Sequence, residues 1–239
     1  AGLTAQRLGA RTAILTAAAQ LPADLPAGLE VVRSSTDHTS TFENRYTPDG
    51  RQQWLHEAAP PIDLAAMPES WRACPLVHLG PVLRECTSEM LDAFPGARVL
   101  ATPQGWMRHW DAQLPSPIRY QVWQPDPGFL QRLSALVLSI EDVRGDEGIV
   151  GGYVQHCPLV ALTRGRLGAT LFIKGEPHEI APRPSNEVDP TGAGDVFAAA
   201  FLLRLHETDD PIAAATFAAQ IAGASVEGQG TSAIPQRTL

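Results

Sequence analysis

Four short runs in this chain are apolar almost without interruption: PLVHLG at 75–80, RVLA at 98–101, ALVLS at 135–139 and LVALT at 159–163. Strands with no polar face, alternating with helical segments, belong to a parallel sheet covered on both sides. Upstream, Ala10 to Thr16 and the stretch 28–33 (GLEVVR) read as two further strands, and 1–9 (AGLTAQRLG) reads as the end of an amphipathic helix closed by Gly9. Thr87 to Phe94 reads as a helix. The stretch 38–57 differs, because its polar and apolar residues alternate on either side of Pro48, Asp49 and Gly50, the pattern of a β-hairpin. Two strands alone are marginally stable, so this ribbon must lie on the main body or on a copy of itself. After LVALT come ATLFIK, a turn at Gly175 and PHEIAP, a second hairpin. Val196 to Leu205 is apolar on every side apart from Arg204, which predicts a helix with no wet face at the centre of its domain. A second, Ala-rich helix follows at 211–226. In sheets of this kind ligands bind beyond the carboxyl ends of the strands, marked here by Gly80, Thr102 and Ser139. His78, inside a strand, reads as a packed core histidine.

Composition narrows the function classes. With 239 residues and 44% apolar content the chain can bury a substantial core. A formal charge of -8, with Lys and Arg scattered, argues against a nucleic-acid surface. Cys74, Cys86 and Cys157 have neither zinc-site nor disulfide-framework spacing and fit a reducing cytoplasm. No uninterrupted apolar run reaches ~18 residues, so no membrane span is expected.

The chemistry concentrates at Asp189 to Asp195, D-P-T-G-A-G-D, which leads directly into the apolar helix. At a helix start the backbone amides lack intrahelical partners and the dipole adds partial positive charge. Small residues there leave room for a phosphate. Asp195 would be repelled by that phosphate unless a hydroxyl stands between them to give up a proton, which is the geometry of a general base in phosphoryl transfer. The competing reading is an Asp that only complements the dipole. A capping box from Thr191, however, would need Glu or Gln at position 194, where this chain has Gly.

Read with Val196, Phe197 and Ala198, this motif resembles the C-terminal signature of the ribokinase-like, or PfkB, sugar kinases. The resemblance implies a ribokinase-like α/β fold: a mainly parallel central sheet flanked by helices, with a small β lid, forming a single domain over 1–239. It implies ATP-dependent phosphorylation of a hydroxyl of a small sugar, polyol or nucleoside, with Asp195 as general base and the amides of Gly192, Ala193 and Gly194 as anion hole. Pro190 stands where the family usually has Thr, and proline suits the first turn of a helix. The hairpin at 38–57 would be the lid, through which two copies pair as a homodimer, with Asn44 and Arg45 touching the acceptor; an edge hairpin of the main sheet is the competing reading.

Further motifs extend the resemblance. TPQGWMR, 102–108, is similar to the inositol-kinase-like branch and implies that Gln104 and Arg108 meet substrate, against a merely solvated arginine. Ser139 to Asp142, S-I-E-D, stands where the family has N-x-x-E. Asp142, or Glu141 beside it, would act on Mg2+ through water, a role that needs few protein carboxylates; acids that simply favour a helix start are the alternative. Thr163, Arg164, Gly165 and Gly168 match the nucleotide-binding turn, with Arg164 or Arg166 on the phosphates, against a plain hairpin turn. Ala224 and Ser225 would line the adenine slot and Gly228 would begin the loop that closes it. That loop, with Asp189, would hold a monovalent cation such as K+. The family's opening strand and part of its sugar site, ~30 to 40 residues, are expected to be absent. That absence and the altered S-I-E-D leave open a second class of function, a family member that binds a nucleotide or sugar without turnover.

Overall fold

A computed structural model of the protein describes residues 1–23, 25–47 and 50–236. The hairpin turn read at Pro48 and Asp49 lies outside the described residues. In chain order the elements are α1 (Gly2–Arg7), β1 (Ala13–Ala17), β2 (Glu30–Ser34), β3 (Thr41–Thr47), β4 (Gly50–Glu57), β5 (Leu76–Leu79), β6 (Arg98–Ala101), β7 (Arg108–His109), β8 (Ser116–Pro117) and β9 (Arg119–Tyr120). They continue with α2 (Pro127–Arg132), β10 (Ala135–Ser139), α3 (Glu147–Val154), β11 (Leu159–Thr163), β12 (Ala169–Ile173), β13 (Glu176–Ile180), α4 (Ala193–Thr208) and α5 (Pro211–Ser225).

The four apolar runs become β5, β6, β10 and β11, which pair in parallel within a six-stranded sheet of order β13-β12-β11-β10-β6-β5. Both faces are covered, and the alternation of side chains along each strand sorts them to two cores. Ala135 and Val137 of β10 and Ala161 of β11 pack with α4 and α5, whereas Leu136 and Leu138 and Val160 and Leu162 pack with α2 and α3. This is why the runs read as continuous: each residue faces protein. The second hairpin, β12 and β13, extends the sheet antiparallel through tight turns at Gly165–Gly168 and Lys174–Gly175. β1 and β2 pair with each other in parallel, as a separate two-stranded sheet.

The central helix forms as its composition dictates. Phe201, Ala198 and Ala200 of α4 are fully buried, Phe197 stacks on Phe201 with centroids 6.1 Å apart, and α4 packs along α5 as well as on β5, β6 and β10. Arg204 escapes the core, its guanidinium 5.5 Å above the Phe217 ring and paired with Glu207. The stretch read as a helix at 87–94 is a tighter 3-10 segment, Ser88–Ala93. The hairpin β3–β4 is joined by β8 against β4, so the ribbon is a three-stranded sheet of its own and not an edge of the main one. Its inward side buries Leu55 completely. Among the described residues no helix is long and apolar enough to cross a membrane.

Candidate active site

The strand ends and the start of α4 meet at one edge of the sheet. Gly192 adopts φ +81°, a conformation L-residues rarely take, and so turns the chain into α4 as its N-cap without a side-chain cap. A Cβ added at Gly192 or at Gly194 would meet nothing within 4 Å, so the cradle is open. The amides of Gly192, Gly194 and Asp195 donate to no carbonyl among the described residues. Ala193 differs from the expectation: its amide donates to the Pro190 carbonyl at 3.2 Å, so the amides left without a carbonyl partner at this turn are those of Gly192, Gly194 and Asp195. Pro190 lies before the helix and not in its first turn, which begins at Ala193. Asp195 is exposed at the mouth of this cradle.

Asp189 serves as a staple. Its Oδ1 accepts from the Thr191 amide at 3.0 Å and its Oδ2 from the Gly230 amide at 2.9 Å, and these bonds hold its carboxyl below the usual range. Oδ1 thus braces the motif's own turn and Oδ2 fixes the 228–235 loop to it.

β10 and β11 end side by side, with Ser139 beside Thr163. Asp142 accepts from the Ser139 amide at 2.8 Å through Oδ2, and Gln104 Nε2 donates to its Oδ1 at 3.4 Å. Arg108 donates to Gln104 Oε1 at 3.1 Å and to the Val82 carbonyl at 2.5 Å, and its guanidinium lies 5.3 Å from the Phe42 ring. The fold therefore brings Gln104, Arg108 and Asp142 into one polar chain reaching Phe42 of β3. Glu141 stays exposed, its carbonyl accepting from the Arg144 amide at 3.0 Å. No cluster of three or more His, Cys, Asp or Glu able to hold a metal occurs among the described residues. That donor set fits a magnesium ion carried by phosphates and reached through water by Asp142, not a protein-caged ion.

Several expected nucleotide contacts are occupied otherwise. Arg164 donates to Thr170 Oγ1 at 2.5 Å and pairs with Glu147 at 3.0 Å, so its guanidinium braces β12 and α3. Arg166 pairs with Glu187 at 3.2 Å. Gly168 is required by the fold itself, since its φ is +88° and a Cβ there would sit 2.2 Å from the Ile180 carbonyl. At the end of α5, Ser225 is buried and donates to Ala222, and a Cβ at Gly223 would lie 2.7 Å from Arg183 Cβ. Arg183 bridges to Glu227 at 3.0 Å, and the amides of Val188 and Asp189 donate to the Val226 carbonyl. The segment 183–189 thus packs against Gly223, Val226 and Glu227, the neighbours of Ala224 and Ser225 at the end of α5. Gly228 is likewise crowded by Ser232 and Ala233.

In β3, strand alternation separates Asn44 from Arg45. Asn44 shares a face with Phe42, the face turned toward Arg108. Arg45 is on the other face, stacked 4.3 Å over Trp54 and bonded to Glu43, whose pKa falls to about 2 through hydrogen bonds from Arg45 and His56. Arg45 is therefore engaged away from the site.

His78 was missed as a site neighbour. Its Nε2 lies 3.1 Å from Thr102 Oγ1 at the strand ends, burial pushes its pKa down to about 4, and Asp195 pulls the other way. The signal was in the sequence, since Gly80 and Thr102 mark the strand ends on either side of it. An imidazole neutral in the fold but protonated below about 6.5 when unfolded gives the unfolded state more protons between those values. Stability should therefore be intact above pH ~6.5 and fall as pH drops toward ~4. Urea unfolding at pH 7 and 4.5, with His78→Asn expected to flatten the difference, checks this.

Residues 153–238 match the family model described as pfkB family carbohydrate kinase. The chain is 30% identical over 176 residues to an inositol 3-kinase of Oryza sativa subsp. japonica, an alignment covering 68% of this chain and 43% of that protein. It is 26% identical over 144 residues to a cytidine kinase of Thermococcus kodakarensis, covering 57% and 49%. The chain thus spans about half the length of these curated relatives. Among solved structures, the sulfate complex of a pyrophosphate-dependent kinase in the ribokinase family superposes with TM-score 0.80 at 22% identity, over 99% of this chain and 87% of that one. The fold is that of ribokinase.

Proposed function

We infer that this chain, which belongs to the pfkB carbohydrate-kinase family through residues 153–238, transfers a phosphoryl group to a hydroxyl of a small polyhydroxylated acceptor. The observation that carries this reading is the open cradle of unpartnered amides at Gly192, Gly194 and Asp195 with the Asp195 carboxylate at its mouth. Such amides stabilise the charge spread over the migrating group, and Asp195 takes the acceptor's proton as the oxygen attacks. Magnesium, held by the donor phosphates and oriented through water by Asp142, would neutralise charge on the donor. Gln104 and Ser139 hold Asp142 in place, and the Phe42 and Asn44 face of the lid would close over the acceptor and exclude water. Inositol, the acceptor in the name of the Oryza relative, and nucleosides, from the Thermococcus one, are the first acceptors to try.

ATP is the donor implied by the family. A second donor is suggested by a specific feature: Arg183, bridged to Glu227, packs directly against Gly223, so this part of the α5 surface is occupied by the chain itself. A compact donor such as pyrophosphate, used by the solved neighbour, needs only the cradle. One assay decides: acceptor phosphorylation from ATP and from pyrophosphate, read as sugar phosphate formed over inositol, ribose, fructose, cytidine and adenosine. Product from either donor supports the kinase reading and names the donor. No product from either, with binding of donor still measurable by calorimetry, replaces it by a binding protein without turnover.

A further inference from the structure

We propose that a solvent-open depression bordered by Arg84, Cys86, Trp106, His109, Gln121 and Trp123 is a binding site for a ring-shaped small molecule that bears a phosphate monoester. Its volume, about 410 Å³, is in the range of small-molecule sites. It is separate from the cradle, since neither Asp195 nor any residue of the glycine motif lines it.

One wall is a rigid aromatic platform. Trp106 and Trp123 stack with centroids 4.8 Å apart, and Phe129 meets both edge-on at 5.5 and 6.0 Å. Trp106 Nε1 donates to the Cys86 carbonyl at 2.9 Å, and the Tyr153 hydroxyl donates to the Trp123 carbonyl at 2.8 Å. With the indoles already fixed, a ring that lies against them costs little ordering.

The other wall carries a fixed positive charge. Arg84 stacks 4.9 Å over Trp110 and donates through Nη2 to the Arg108 carbonyl at 3.2 Å and to Gln121 Oε1 at 3.3 Å, both neutral acceptors. No carboxylate lines the depression. Glu85, adjacent in sequence, is turned to its own loop, where it accepts from the amides of Val82 and Leu83 at 2.6 and 2.7 Å. In a chain of formal charge -8, an oriented guanidinium held only by neutral groups selects an anion, and its fork matches phosphate oxygens. Platform and cation together define a phosphorylated ring, whether a sugar phosphate or a nucleoside monophosphate. Arg84 also holds the backbone of Arg108, whose side chain reaches Gln104, so the site adjoins the active centre without sharing its ligands.

The test is a tryptophan-fluorescence titration with glucose 6-phosphate and, separately, AMP, on the Gly194→Val protein, whose added side chain fills the open cradle and removes the other phosphate site. A saturable change with at least one probe is expected, weakened about tenfold or more in Arg84→Gln, while glucose and adenosine produce none. Arg84 is exposed, so its replacement leaves the core intact; Trp123→Leu, if it folds, should lose the signal and the affinity together. Absence of saturation with both probes, or an unchanged affinity in Arg84→Gln, overturns the proposal. The titration needs no turnover, so a failure of the kinase reading leaves its expected result as it stands.

Discussion

Asp195→Asn should lower kcat by about 10²- to 10⁴-fold while the donor binds at least as tightly as before. The substitution keeps the shape of the side chain and the start of α4 but removes the base, so the acceptor hydroxyl must lose its proton unaided. The donor gains, if anything, because a negative charge is removed beside an anion cradle formed by the amides of Gly192, Gly194 and residue 195 itself. Steady-state kinetics with whichever donor proves active, together with calorimetric donor affinity, separates the two effects. A variant with undiminished kcat would remove Asp195 from the chemistry, and a parallel collapse of donor affinity would assign it to binding instead of proton transfer.

The second large effect is on stability. Phe201→Ala should cost about 3 to 5 kcal/mol, the usual range for emptying a fully buried aromatic site. Phe201 has no exposure and stacks on Phe197 in the middle of α4, between the sheet and α5. Against a typical total of roughly 5 to 15 kcal/mol, such a loss puts the fold near its threshold. Ile212→Ala, at a position 43% exposed, should shift stability by no more than about 0.5 kcal/mol. Urea unfolding of the two variants side by side checks the contrast, and equal midpoints would mean that α4 is not the keystone its composition makes it. Asp195→Asn, at an exposed position, should resemble Ile212→Ala in this measurement and Phe201→Ala in none.

Much of this was legible in the letters because it depends on local period and on conformational limits of single residues. Ala135, Val137, Leu136 and Leu138 are all apolar because two different cores claim alternate side chains of one strand, and that leaves a mark in sequence. Gly192 and Gly194 announce a turn with space beside it, and the structure has both. The glycine at 168 carried the same letter for another reason, since it avoids the Ile180 carbonyl. Spacing cannot distinguish room left for a ligand from room taken by a neighbouring strand.

The sequence by itself therefore determined the parallel sheet, the buried helix, and the placement of a carboxylate at the start of that helix, all consequences of periodicity within a few consecutive residues. Only the tertiary structure decided which charged groups face open space. Arg164 is taken by Glu147, Arg183 by Glu227 and Arg45 by Glu43, while Gln104, Arg108 and Asp142 converge from three separate segments and His78 comes under the field of Asp195. The physical reason is reach: a long polar side chain binds whatever acceptor the fold brings within about 3 Å, and that partner is set by the packing of distant segments.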